Sequence, residues 1–333
     1  MKTQIILSAF FFTASLLAGC SASASKEDQN KATSVVDSSI NVPVFNADSA
    51  YQYIAQQVAF GPRVPNTSAH ESCAAFLADE LRRHGATVIE QKAVVTAYDG
   101  TALRATNIIG SFQPQNKTRL LLFAHWDTRP WADNDPDESK HHTPILGAND
   151  GASGVAMLLE MARLIQKQQP QVGIDLIFFD CEDYGTPQWA GQDSEDSWCL
   201  GTQYWASTPH VEGYNARYGI LLDMVGGRNA TFYQERFSKE YSQSTIDKVW
   251  STASALGFSS YFPMQEGGSI TDDHLYVNRI AGIPSIDIIP MDKLNNGFGY
   301  FWHTLQDDMS CIDKATLKAV GQTVTTVIYN EKK

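Results

Sequence analysis

Arg119-Leu-Leu-Leu-Phe-Ala-His-Trp-Asp127, followed by Gly147-Ala-Asn-Asp-Gly-Ala-Ser-Gly154, decides how this chain folds. The first stretch opens on a short apolar run, Arg119–Ala124, as a central strand buried on both faces should. It turns polar at His125. The second is a turn of small residues that opens a helix, Gly151–Gln168, with Val155, Leu158, Leu159, Ala162 and Ile165 on one face. The pattern then repeats. Ile174–Phe179 is another buried run and ends in Asp180-Cys-Glu-Asp183, and Tyr218–Leu222 ends in Asp223. Strands alternating with helices predict an α/β fold: an open, mostly parallel (mixed) twisted sheet with helices on both faces. In such sheets the site lies at the carboxyl ends of the strands.

Outward from this centre, Asp48–Phe60 and Thr67–His84 read as helices, the second capped by Thr67 or Ser68 and stopped at Gly85. Thr87–Val95 and Thr106–Ser111 read as strands on their β-branched content. Beyond Asp223 follow a helix over Ser242–Leu256, a strand over Ile283–Ile289 and a closing helix over Ala315–Tyr329.

The 333 residues suffice for one large α/β core, or at most two domains. A net charge of −12 makes nucleic acid and anionic membrane surfaces poor partners. Lys2 and the apolar stretch Ile5–Leu17 read as a leader too short to span a bilayer. Leu17-Ala-Gly-Cys20 closes it and resembles the bacterial lipobox, in which the Cys becomes the lipidated first residue. The expected organisation is therefore a lipoprotein signal peptide over 1–19, a flexible tether over 20–42 and one folded domain over 43–333. That places the domain in the cell envelope, lipid-anchored to a bacterial membrane and facing the periplasm or exterior. Cys73, Cys181, Cys199 and Cys311 form no Cys-x-x-Cys, which argues against a thiolate metal site. Their spacings leave disulfide pairing open.

The chemistry lies in five acid- and histidine-bearing stretches: His125-Trp-Asp127, Asp150, Glu182-Asp183, Asp223 and His303. Any one alone has a bland reading. Asp150 alone is a helix N-cap, Glu182-Asp183 alone a solvated loop, and His303 alone a structural histidine. Together, where buried runs give way to polar or glycine-rich segments, they predict a zinc site gathered from several strand ends. Glu182 and Asp183 cannot point the same way on extended backbone, so one can bind metal while the other faces substrate as a base. Asp133-Asn-Asp-Pro-Asp-Glu138 lacks the spacing of a calcium loop and reads as solvated.

From about Asn41 to Tyr329, this order resembles the zinc aminopeptidases of the bacterial leucyl aminopeptidase type and their relatives, the glutaminyl-peptide cyclotransferases. Ile270-Thr-Asp-Asp-His274 is similar to the cyclases' paired Asp before His, where the peptidases carry Ser. Phe301-Trp-His-Thr-Leu-Gln-Asp-Asp308, Gly191-Gln-Asp-Ser194 and Leu200-Gly-Thr-Gln203 are likewise similar to cyclase segments. Asp183 departs from animal cyclases, which carry Glu there.

The cyclase resemblance implies one zinc on Asp150, Asp183 and His303, with Glu182, Asp223 and Asp272 as catalytic acids. His125, with Asp127, would then stand beside the ligands. It also implies conversion of N-terminal Gln of peptides or proteins to pyroglutamate with release of ammonia. Trp302 and Trp189 would be walls of a small apolar pocket. The alternative is a di-zinc aminopeptidase. There Asp150 would bridge two ions, with Asp183 and His303 on one, and His125 and Asp223 on the other.

Overall fold

The computed structural model describes residues 41–191, 194–292 and 297–333. The expected signal peptide, Cys20 and nearly all of the expected tether lie outside the described residues, as do Gln192 and Asp193.

Six strands form one sheet: β1 (Thr87–Thr96), β2 (Ala102–Phe112), β3 (Arg119–His125), β4 (Gly173–Phe179), β5 (Gly219–Leu222) and β6 (Ser285–Ile288). Their order is β1-β2-β4-β3-β5-β6. β4, β3, β5 and β6 run parallel, with His125 opposite Phe179 and Phe123 opposite Leu221. β1 and β2 form an antiparallel hairpin whose second strand pairs antiparallel with β4. The mixed sheet expected from the alternation is therefore present, with its antiparallel part confined to one side.

Every residue of β3 and β4 is buried, while the edge strand β1 alternates between exposed and half-buried. Side-chain alternation divides β3 between two cores. Leu120, Leu122 and Ala124 pack with Ile54, Leu158 and Val324, residues of α1 (Ala47–Val58), α3 (Ala152–Lys167) and α7 (Lys314–Asn330). Leu121 and Phe123 pack with Trp205 of α4 (Leu200–Ser207). Each such fully buried Leu or Phe contributes about 1.5–3 kcal/mol relative to leaving it exposed. α2 (Ser68–Arg83) is capped by the Thr67 hydroxyl, which accepts from His70 N.

α5 (Arg236–Ala255) starts earlier than its apolar spacing suggested, because a non-helical Ser242 joins two helical pieces. α6 (Asp273–Tyr276) is a single short turn capped by Asp272.

Two glycines bring α3 against the strand ends. A Cβ on Gly154 would sit 2.0 Å from Leu222 O and 2.9 Å from Ala124 Cβ. Gly151 has φ +91°, and a Cβ there would sit 2.8 Å from Asp127 O. Only glycine permits both the left-handed turn and this approach.

Candidate active site

Because β3, β4 and β5 run parallel, their carboxyl ends lie side by side. They carry His125, then Glu182-Asp183 just past β4, then Asp223 just past β5. The turn before α3 adds Asp150, and the Phe301–Thr304 segment adds His303 with a left-handed φ of 54°. Ligand atoms of Asp150, Asp183 and His303 all lie within 4.8 Å of one another, as do those of His125, Asp150 and Asp223. Asp150 belongs to both groups. His125 Nε2 is 3.0 Å from Asp150 Oδ1 and 3.2 Å from Asp223 Oδ1. His303 Nε2 is 3.2 Å from Asp183 Oδ1 and 3.6 Å from Asp150 Oδ2.

The donors fit a metal ion. Both Asp183 carboxylate oxygens are buried and accept no hydrogen bond. A buried carboxylate so left is costly unless a cation meets it. Two carboxylates and an imidazole are a hard-to-borderline set that suits zinc and leaves a coordination position for another group. No sulfur enters either group, and all four described cysteines are unpaired, buried thiols.

Asp127 sets the backbone of the double acid. Its Oδ1 accepts from Glu182 N at 3.1 Å and its Oδ2 from Asp183 N at 3.2 Å. Asp150 is not the α3 cap; that position is Gly151, which offers no side-chain bond. Instead Asp307 holds the turn, accepting from Asn149 N at 2.7 Å and Asp150 N at 3.0 Å. Burial, then the neighbouring Asp150, pushes the Asp307 carboxyl up to about 7. Asp307 was not singled out from sequence, although it stands in the acidic pair closing the His303 segment.

Glu182 lies beside Asp272 and the Cys199 thiol, which is 3.5 Å from Glu182 Oε1. Burial lifts the Glu182 carboxyl well above its ordinary range, and Asp183, Asp272 and Asp273 add to this against the pull of His125. Burial likewise lifts Asp272, reinforced by Asp223 and Asp273. Behind Asp272, the buried Asp287 of β6 is raised by burial and by Asp272 in turn. Burial alone would lower His125, but Asp127, Asp150 and Asp223 hold it well above an ordinary imidazole. Carboxyls crowded this closely share protons and titrate as a group.

These acids open into a cavity of about 410 Å³, walled by Trp302, Trp198, Phe298, Ile270, Met224 and Ile289. Trp302 stands where the sequence reading put it. Trp189 does not: it is 43% exposed and packs on His142 instead. Trp198 takes its place and stacks over His303 at 6.1 Å. A larger groove of about 630 Å³ along α2 and the β1–β2 hairpin contains none of these carboxylates.

Asp133, expected to be solvated, is 2% exposed. Burial would raise its carboxyl, but Arg129, with His303, holds it well below the usual carboxylate range. Arg129 is as deeply buried, and its Nη1 stands 3.6 Å from Asp183 Oδ1; the sequence reading passed over it.

A parallel-sheet edge carrying this donor set and acid cavity is the architecture of metal-dependent, peptidase-like enzymes. The chain belongs to peptidase family M28, whose model matches residues 107–328. The crystal structure of Bacteroides thetaiotaomicron glutaminyl cyclase is similar at 60% identity and TM-score 0.87, covering 88% of this chain and 100% of that one. A Zn-dependent exopeptidase from Parabacteroides distasonis is similar at 60% identity and TM-score 0.86, covering 87% of this chain and 100% of that one. The glutaminyl-peptide cyclotransferase of Gloydius blomhoffii is 27% identical over 244 residues, 64% of this chain. The match spans 61% of that relative's length.

Proposed function

We propose that this chain is a zinc-dependent glutaminyl-peptide cyclotransferase that converts N-terminal Gln of peptides and proteins to pyroglutamate with release of ammonia. The observation that carries the reading is the Asp272 carboxyl, placed with Glu182 and Asp223 around the cavity beside the donor set. The likeness to glutaminyl cyclases over their full length supports it.

Asp150, Asp183 and His303 would hold one zinc ion, which when bound supplies a Lewis acid for the side-chain amide oxygen. The α-amine attacks the amide carbon, a carbon–nitrogen bond closes the five-membered ring, and the amide nitrogen leaves as ammonia. Glu182 takes the proton from the attacking amine and delivers it to the leaving nitrogen. Its raised proton affinity suits both halves of that transfer. Asp223 and Asp272 share a proton and orient the amide nitrogen. Trp302 and Phe298, 4.7 Å apart, form the apolar wall against the closing ring and exclude water. Amine and amide belong to one residue, so the step is already intramolecular, and the cavity contributes by holding the two in attacking geometry.

The di-zinc aminopeptidase reading is favoured by one observation: His125, Asp150 and Asp223 form a second donor group sharing Asp150. Metal titration during activity assays separates the two. Full cyclisation at one zinc per chain supports the proposal; activity that requires a second zinc supports the peptidase. A Gln-peptide whose α-amine is acetylated should release no ammonia, since the nucleophile is gone, whereas ammonia release from it would reveal a simple amidase.

The leader also belongs to this reading: cleavage before Cys20, lipidation there, and a tether through residue 42 would present the domain at the cell envelope. The lipobox-like Leu17-Ala-Gly-Cys20 supports it. No described helix is long and apolar enough to cross a membrane. Metabolic labelling with a fatty acid should mark the wild type and not Cys20→Ser; equal labelling would refute it.

A further inference from the structure

His303 is held in a backbone conformation that non-glycine residues rarely adopt, with φ 54°. Such a conformation persists only where surrounding bonds over-determine it. The loop after β3 supplies them. Asn134 N donates to His303 O at 3.0 Å, and Leu305 N donates to Asp135 Oδ2 at 3.0 Å. The side chain is met too: Asp133 Oδ1 stands 3.5 Å from His303 Nδ1, on the ring edge opposite the Nε2 that faces Asp150 and Asp183.

Asp133 is itself fixed. Arg129 grips both its oxygens, Nε at 2.7 Å and Nη2 at 2.6 Å, in a bidentate pair with both partners buried. The remaining guanidinium nitrogen, Nη1, donates to Asp183 O at 3.1 Å. The cation therefore touches the main chain of one metal-binding residue and, through Asp133, the ring of another. A planar five-donor fork is suited to this, where a lysine is not.

We propose that Asp133, clamped by Arg129, is a positioning residue for metal binding: it accepts the Nδ1 proton of His303, so that Nε2 presents its lone pair to the Asp150–Asp183 site. Carboxylate partners of this kind fix the tautomer and ring orientation of ligating histidines and raise their basicity. The inference rests on the zinc reading above and extends it to two residues outside the donor set.

The test is competition for zinc against a chromogenic chelator, with the melting temperature of each metal-free protein measured alongside. Wild type binding no zinc sinks the metal reading and this inference with it. Given wild-type binding, Asp133→Asn is expected to weaken zinc affinity about 10- to 100-fold, with a lower metal-free melting temperature because the buried Arg129 loses its anionic partner. The control is Asp137→Asn, in the same loop but exposed and accepting from Ser139 rather than holding His303, which should bind zinc near the wild-type value. Equal weakening in both variants would make the effect one of loop structure and overturn the proposal, as would unchanged affinity in Asp133→Asn. Nitrogen NMR of zinc-loaded wild type gives a readout independent of any variant's folding. His303 should carry its proton on Nδ1 with Nε2 bound to metal; the opposite tautomer overturns the assignment.

Discussion

Asp127→Asn isolates the contact that aims the double acid. Both carboxylate oxygens of Asp127 are engaged, by Glu182 N at 3.1 Å and Asp183 N at 3.2 Å, in a fully buried setting. Asparagine keeps the shape but replaces one acceptor with an NH2 group, which then faces a backbone N–H. One buried donor loses its partner, at a cost of about 1–3 kcal/mol, and the lost bond was charge-assisted. The freed peptide carries Glu182 and Asp183 together, so the proposed base and a proposed metal ligand shift at once. A displacement of about 1 Å at a reacting group can cost on the order of 100-fold in rate. The expected outcome is a loss of kcat of about that size or more, with an unfolding free energy lower by about 1–3 kcal/mol in urea melts. Wild-type kcat and stability together would refute this account of how the double acid is held.

Other perturbations test other links. Glu182→Gln should retain zinc, measured by metal analysis, and lose about 100- to 10,000-fold in turnover as expected for a missing acid–base group; retained activity would remove Glu182 from that role. Asp272→Ala should abolish cyclisation with little loss of metal, and unchanged rates would remove the main support for a cyclase over a peptidase. Gly154→Ala would place a methyl 2.0 Å from Leu222 O, a backbone atom that cannot step aside. The expected cost is about 1–3 kcal/mol or more, seen as a lower thermal midpoint; an unchanged midpoint would show that α3 can shift away from β5. Burial, reinforced by Asp127 and Asp223 against the hydroxyl of Thr202, pushes the Asp273 carboxyl up from 3.8 to about 7. Between those values the folded protein holds a proton that the unfolded chain releases, so stability falls as pH rises from about 4 to about 7. Asp273→Asn should remove one proton's share of that slope in metal-free protein, leaving the share of Asp307, and an unaltered slope would locate the titration elsewhere.

The parallel centre of the fold was legible because burial on both faces writes itself as uninterrupted apolar runs: Arg119–Ala124, Ile174–Phe179 and Tyr218–Leu222. Helices α1, α2, α3 and α7 were legible within a residue or two from amphipathic spacing and from Thr67. α4 carried no such signal. It is short, and its cap is Cys199 in a left-handed conformation with no side-chain bond. The break at Ser242 hid the first part of α5. In the site, acids at strand ends could be read in order along the chain because parallel strands turn sequence order into adjacency. Partners joined only by tertiary contact could not. Asp307 meets Asn149 and Asp150 across more than 150 positions of chain. Asp133 is dry only because Arg129 and His303 fold over it. Trp198, not Trp189, lines the cavity and packs against Arg129, at 4.7 Å. Distance along the chain from Glu182-Asp183 does not encode that.

The most direct measurement is mass spectrometry of a Gln-Xaa peptide incubated with the zinc-loaded domain. The account predicts loss of one ammonia with the peptide bond intact. Release of free glutamine with no cyclised product would contradict it, and would return His125 and Asp223 to a second metal ion.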